Sequence, residues 1–515
     1  MSAEKSVVIV GGGPAGLTAA YELCKQGIPS VVLEKDPVVG GLARTVTYKG
    51  YHFDIGGHRF FTKVRAVERM WEEVLQDDFL YRSRLSRIYY NRRFFYYPLR
   101  AMNALFGLGL WNSILIVCSY FWARLFPHRE NDTFEQWVSN RFGKRLYRIF
   151  FKTYTEKVWG IPCNEIRAEW AAQRIKGLSL MTVLKNTLLK SKTHDKSAVI
   201  KTLIDAFHYP RFGPGMMWLR VAESVSKNGC RVALNSDVDR ILWNETGIAA
   251  IEFVSNGKRD IVHGTDFIST MPIRDLIRKL SPSPPEAVLH AANSLNYRDF
   301  ITVALIVNQK DLFPDNWIYI HDPEVKVGRI QNFKNWSPEM VPDPNKTCLG
   351  LEYFCFEGDG LWNMPDADLI DLAKREMQIL GLIQSADVED GTVVRMQKAY
   401  PVYDSTYKES LQIVQDFLVR MPNLQLVGRN GMHKYNNQDH SMLTAMLAVK
   451  NIQGERYDLW AVNADPEYHE EMTADQSKDE FALLASQQPS VPERLEPAVD
   501  RAVIRSLARM DKLAF

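Results

Sequence analysis

A chain of 515 residues with 46% hydrophobic and 24% charged side chains carries enough apolar material for two or three packed domains, which excludes a disordered or fibrous protein. Its 63 Lys and Arg against 61 Asp and Glu leave a formal charge of +2, so no global basic field points to nucleic acid and local clusters must carry any anion binding. The six cysteines (Cys24, Cys118, Cys163, Cys230, Cys348, Cys355) are scattered without a C-x-x-C pair, which argues against a disulfide framework or a metal site and for a reducing compartment.

The N-terminus runs from polar residues straight into Val7-Val8-Ile9-Val10, leaving no room for a cleavable signal, and cytoplasmic placement is the expectation. That β-branched run reads as a buried parallel strand, and the small residues after Gly16 read as a helix. Between them Gly11, Gly13, Pro14, Ala15 and Gly16 form a G-x-G-x-x-G turn. Glycines there allow a tight turn, close approach of backbone to a pyrophosphate, and packing of helix on strand. A second strand, Ser30 to Leu33, ends in Glu34 where a ribose-binding carboxylate belongs, so this is a dinucleotide site. After it Lys35 to Arg44 runs KDPVVGGLAR, presenting Gly41, Leu42 and Arg44, and Tyr51 to His58 adds a third close turn at Gly57 and His58. An NAD domain needs no such extras, and the ordered set points to FAD. No second G-x-G-x-x-G exists, so NAD(P)H, if used as reductant, binds only transiently.

Val64 to Leu75 reads as an amphipathic helix and Ser86 to Pro98 as an aromatic hairpin turning at Asn91. Ala101 to Ala123 then carries no charge and is flanked by Arg100 and Arg124. Three readings stay open for it: a buried helix pair, an interfacial membrane helix, or a span. Thr133 to Arg148 has helical periodicity with Thr133 as N-cap, and Phe151 to Gly177 reads as a loop into a helix ending at Arg174. From Tyr209 a Gly/Pro-rich turn opens a helix to Asn228. Short strands follow at 231–234, 236–241, 248–254 and 266–270. Phe300 to Val307 and Cys348 to Phe356 read as strands of a mixed sheet. Leu424 to Gly431, then His433 to Ser441 and a small-residue helix to Asn451, form a second strand, turn and helix N-terminus suited to an anion or flavin.

The expected fold is α/β: a Rossmann-type FAD-binding domain of the glutathione-reductase kind with an inserted, mostly helical substrate domain and a mixed antiparallel sheet roofing the site. The expected boundaries are 1–90, 209–298 and 411–465 for the nucleotide domain, 91–208 for the helical insertion, 299–410 for the mixed sheet and 466–515 for a helical tail.

These motifs resemble the FAD-dependent amine oxidase and protoporphyrinogen oxidase superfamily, and within it the eukaryotic-type UDP-galactopyranose mutases. The resemblance rests on DIGGHRFF from Asp54, YYP at Tyr96 to Pro98, KVWGIP from Lys157 with Arg174 downstream, WIYI with Arg329 ten residues after Tyr319, AYP from Ala399, and GRNG, KY and NQDHS near the C-terminus. It implies a redox-neutral mutase of a sugar nucleotide in cell-surface polysaccharide biosynthesis, in which N5 of reduced FAD attacks the anomeric carbon for pyranose/furanose ring contraction. It further implies that Arg174, Arg329, Tyr319, Tyr400 and Tyr435 hold the diphosphate and that His58 sits against the flavin. Tyr97, Trp159 and Arg100 would complete the substrate site. Gly428, Arg429, Asn437 and Gln438 would contact flavin, with backbone near Val238 on the adenine.

The chain departs from that pattern. Leu99-Arg100 replace a Phe-Gln beside the uracil, which puts uridine recognition in doubt and suits a lipid-linked diphosphate or another nucleotide. The rival class is an FAD oxidoreductase of the amine oxidase or desaturase type acting on an apolar substrate, against which stands the lack of an aromatic cage before the last helix. A non-catalytic flavin scaffold is a third class. The partner expected is a small sugar diphosphate, with no nucleic acid and with peripheral membrane contact through 101–123 as an open alternative.

Overall fold

The computed structural model describes residues 5–97, 101–168, 206–404 and 406–462. Val7–Val10 is the middle strand of a five-stranded sheet in the order Leu424–Leu426, Asp266–Ser269, Val7–Val10, Ser30–Leu33, Arg231–Ala233. Every pairing in it is parallel, with Val7 opposite both Asp266 and Ser30. All four residues of the opening strand are buried, as a strand covered on both faces requires, which is why the sequence there is a continuous apolar run rather than an alternation. The Ala-rich helix Pro14–Lys25 shares one core with Gln438–Ile452, where Leu17, Ala19 and Leu23 meet the set that includes Met442, Leu443 and Ala445. This α/β nucleotide fold, with its mixed sheets, matches the fold class expected.

An antiparallel sheet of Lys258–His263, Gly247–Ser255 and Ser236–Asn244 flanks it, with Leu280–Ser281 added in parallel. The other half is a seven-stranded sheet ordered Val388–Pro401, Tyr297–Val307, Thr347–Cys355, Arg329–Asn332, Trp317–Ile320, Ser86–Tyr90, Arg93–Tyr96. Every pairing is antiparallel except that of Trp317–Ile320 with Ser86–Tyr90. The hairpin at 86–96 thus belongs to this sheet, and a boundary at residue 90 falls inside it. A boundary at 208 likewise falls inside Ala206–Pro210, which pairs with Phe79–Ser83. The strand at 388–401 is polar and charged, so its sequence carries no apolar strand pattern, and it packs half-buried at the sheet's edge.

In the insertion Thr133 caps Phe134–Phe142 through a capping box with Gln136. The helix stops there rather than running on to Arg148; a short turn Lys144–Tyr147, a π-turn Arg148–Lys152 and Thr153–Trp159 follow, so 153–159, expected as loop, is helical. The apolar stretch is two helices, Ala101–Leu108 and Leu110–Leu125, broken at Gly109, whose φ of +85° a β-carbon would resist. Sixteen residues make about 24 Å of helix, and among the described residues no helix is long and apolar enough to cross a membrane. Nor is the pair buried. Ala104, Ile116 and Tyr120 pack inward, but Phe106, Leu110, Trp111, Trp122, Leu125 and Phe126 are each 62–81% exposed. The expected tail at 466–515 lies outside the described residues.

Candidate active-site cleft

The carboxyl ends of the parallel strands and the inner face of the seven-stranded sheet enclose one cleft of about 1220 Å³. Its nucleotide end is built by glycines. The Gly12 carbonyl accepts the Gly40 N–H at 2.8 Å, and a Cβ on Gly41 would stand 3.2 Å from the Gly13 Cα, so the two glycine turns lie one on the other. Gly13 gives the opening helix no side-chain cap, leaving its first N–H groups for an anion. Glu34, buried at the end of the second strand, accepts the Gly12 N–H at 2.6 Å and the Asp36 N–H at 2.9 Å. Burial raises its pKa while these two bonds pull it down.

Gly11, Gly13, Pro14, Ala15, Glu34, Lys35, Gly41, Leu42 and Arg44 all line this end. Gly16 does not. A Cβ there would fall 1.9 Å from the Gly11 carbonyl oxygen, so Gly16 lets the turn close on the helix rather than touching a ligand. Arg44 is held by Asp36 at 2.7 Å. Val238 lines the cleft too, and its carbonyl accepts from the Lys279 ammonium.

From the far side come Gly428, Arg429, Asn437 and Gln438. Gly428 bonds Thr444 and Asn436 and seats its α-carbon against Ala15, closing the turn on the first helix. Arg429 donates to the carbonyls of Asn436 and Ala399, both at 2.9 Å, and lies over the rings of Tyr400 and Tyr435. Gln438 spends its side-chain oxygen on the Trp218 indole N–H at 3.2 Å, so any contact it makes with a ligand is through its amide nitrogen or backbone.

Gly57 and His58 turn into the middle of the cleft, His58 anchored to the Gly56 carbonyl at 3.1 Å. Burial, then the charges of Arg429 and Arg329, push its pKa down to about 3, so the imidazole is neutral at any ordinary pH. Beyond it, the seven-stranded sheet presents Tyr319 and Arg329 from paired strands and Tyr400 from the edge strand. Tyr97 packs on Tyr319 at 4.7 Å, and Trp159 stands edge-on to both Tyr400 and Tyr435 at 6.1 Å. Arg174 and Arg100 lie outside the described residues.

Sequence reasoning missed four residues here. Glu352, fully buried, pairs with Arg329 at 2.6 Å; burial opposes the Arg329 charge, but this carboxylate outweighs it and holds the guanidinium protonated. Gln331 donates to the same Glu352 at 2.6 Å. Tyr154 stacks on His321 at 4.8 Å and meets Tyr319 edge-on at 5.5 Å. Glu352 sits in an apolar strand run, where its polarity in a strand otherwise greasy is the one signal, while Gln331 lies in the polar strand Arg329–Asn332 and gives none. Arg329 also donates to the Tyr400 hydroxyl at 3.3 Å, and its buried Nε has no acceptor. An aromatic pair does precede the last helix: Tyr400 and Tyr435 stack at 5.7 Å. That gap is too narrow to admit a substrate between them, since a sandwiched slab needs about 7 Å.

The nucleotide end therefore fits FAD: an uncapped helix start for the pyrophosphate, a glycine cradle that any Cβ would fill, and a fixed carboxylate for the ribose. Residues 9–74 match the profile of the NAD(P)-binding Rossmann-like domain. A 66-residue segment is 47% identical to the L-amino-acid oxidase of Crotalus adamanteus, covering 13% of each chain. The chain spans 8% and 13% of the length of two of the curated relatives it matches. Over most of the molecule the likeness is structural. Reduced UDP-galactopyranose mutase superposes at TM-score 0.74 with 21% identity, over 87% of this chain and 94% of that one. Wild-type putrescine oxidase bound to putrescine does so at 0.55 with 15% identity, over 88% and 99%. At such identities these likenesses establish a fold common to mutase and oxidase.

Proposed function

We propose that this cleft holds FAD and that the protein is a flavin-dependent mutase of a sugar diphosphate, redox-neutral overall. The observation that carries the reading is Arg329, fixed by Glu352, bonded to Tyr400 and ringed by Tyr319 and Tyr154, with a buried Nε donor still to be matched. Reduced flavin, when bound, supplies a nucleophilic nitrogen suited to an anomeric carbon. The chain's own task is then to hold a leaving diphosphate without losing it, through a charge-assisted guanidinium and phenol hydroxyls that make shorter, stronger bonds to anionic oxygen than to neutral groups. Arg59 and Arg84 line the same cleft and add charge, and Arg174 joins them on the resemblance. His58, neutral and anchored, orients the flavin loop without placing a second cation beside the reacting atoms. Cell-surface polysaccharide assembly is the pathway class this chemistry would serve.

One observation favours the rival. Glu352 cancels the charge of Arg329, and a site whose central cation is neutralised suits an uncharged substrate passing hydride to flavin. The two readings predict opposite electron stoichiometries. Anaerobic, dithionite-reduced protein offered a panel of sugar diphosphates should isomerise many equivalents while consuming no further reductant; product formed one-for-one with electrons, or oxidation of an amine with flavin reduction, selects the oxidoreductase instead.

A further inference from the structure

A second cavity, of about 690 Å³, lies at the foot of the exposed helix pair, walled by the aromatic hairpin at 86–96 and the turn at 144–149. Arg93, Lys144, Arg145 and Arg148 line it, and among the described residues no acidic side chain does. Arg93 donates to the Gly107 carbonyl at 2.6 Å and Arg145 to Asn112 at 2.5 Å, so the hairpin and the turn are tied to the two apolar helices. Trp122 forms part of the lining, and with Trp111, Leu110 and Leu125 it belongs to the exposed apolar face above. The sequence agrees: from Asn91 to Arg129 there are five arginines and not one Asp or Glu.

We propose that this face docks on an anionic phospholipid surface, the apolar helix pair lying in the interface and the basic cavity taking a lipid phosphate. A pair of short helices with aromatic residues outward and cations at their flanks is the composition of an interfacial element, and each such cation is drawn to an anionic leaflet. A second copy of the chain is a poor occupant, since a twofold contact sets the same patch against itself and would face the four cations with four more. The cavity and the catalytic cleft share walls: Arg148 and Ile149 line the first while Phe150 and Phe151 line the second, and the hairpin gives Tyr90 to one and Ile88 to the other. Docking here sets the cleft against the membrane, whichever chemistry the cleft performs.

Flotation of the full-length protein with vesicles tests this. Vesicles of phosphatidylglycerol with phosphatidylcholine should carry the protein upward, and phosphatidylcholine alone should bind it about tenfold less. About 1 M salt, where the screening length is about 3 Å, should release most of it. Trp111→Asp and the double change Lys144→Glu with Arg148→Glu alter exposed side chains only, and each should cut binding about tenfold with flavin absorbance and melting temperature unchanged. Equal binding to neutral vesicles, no binding to either, or binding that both variants retain would overturn the proposal. So would a dimer in solution that Trp111→Asp dissolves, because the face would then be covered by a second copy.

Discussion

The two halves of this molecule are encoded differently. The parallel nucleotide sheet takes its function from stretches of chain close in sequence, a strand, a glycine turn and a helix within residues 7–25, and then Glu34 and the 40–44 turn. The seven-stranded sheet assembles its site from hairpins and strands at 86–96, 317–320, 329–332, 347–355 and 388–401, with the register between them setting which side chains meet. Where function is local the residue types alone announce it. Where it is set by strand pairing they do not, because a shift of one residue turns each side chain to the other face.

The largest effect that sharpens this contrast concerns Glu352, which only pairing places opposite Arg329. Replacing Glu352 by Ala leaves a buried guanidinium without its partner and should cost about 3 to 5 kcal/mol of folding stability. Glu352→Ala combined with Arg329→Met should recover much of that, as read by denaturant unfolding. Equal losses in the single and double variants would mean that the pair contributes packing and not charge. The counterpart in the nucleotide half is Gly16→Ala, where the new methyl meets the Gly11 carbonyl. A cost of about 1 to 3 kcal/mol should appear, with weaker flavin retention in the purified protein. A variant as yellow and as stable as the parent would break the cradle argument.

Legibility in the sequence followed the same division. Glycine spacing, the Glu34 position and the turn at Asn91 were readable because each is a local demand of backbone geometry, met by few residue types. Tyr154 and Gln331 give no sign in the sequence because nothing near them demands their chemistry, and the polarity of Glu352 within an apolar strand marks it as unusual without naming its partner. The helix pair at 101–125 was readable as apolar but not as exposed, since periodicity tells which residues share a face and not what covers it. The motif's three glycines have different tasks that their spacing does not tell apart: a Cβ on Gly16 would meet the Gly11 carbonyl and one on Gly11 the Thr270 hydroxyl, while at Gly13 nothing but the Gly41 turn stands near.

A pH titration of stability separates the buried histidines from a buried carboxyl by sign. Burial pushes His58 and His321 down to about 3 and His433 down to about 4, so between those values and 6.5 the unfolded chain binds protons that the folded one refuses, and stability rises with pH. Asp54 acts the other way. Burial raises it to about 7 against the bonds from Tyr209 and Thr45, so from 3.8 to 7 the folded state holds the extra proton and stability falls with rising pH. Between about pH 4 and 6.5 these three histidines outnumber the one carboxyl, and the net slope from the four groups should be positive at about 2.7 kcal/mol per pH unit. Asp54→Asn should steepen that rise, and an unchanged slope would remove Asp54 from the account.

The smallest effect tests whether the Arg329 cluster serves the substrate or only the sheet. In Tyr400→Phe the ring remains stacked on Tyr435 and edge-on to Trp159, while Arg329 loses the hydroxyl that it holds at 3.3 Å and keeps Glu352. A single neutral hydrogen bond contributes about 0.5 to 1.5 kcal/mol, so stability should drop by no more than that. If the hydroxyl also bonds a departing diphosphate, turnover of the reduced protein should fall by about tenfold or more at saturating substrate, since the lost contact strengthens as charge develops on the leaving oxygen. Flavin absorbance should stay as it is in the parent, because Tyr400 lies on the sheet side of the cleft and the glycine cradle is untouched. A stability loss with turnover unchanged would assign the cluster to holding the edge strand at 388–401 against its neighbours and would move the diphosphate to Arg59 and Arg84.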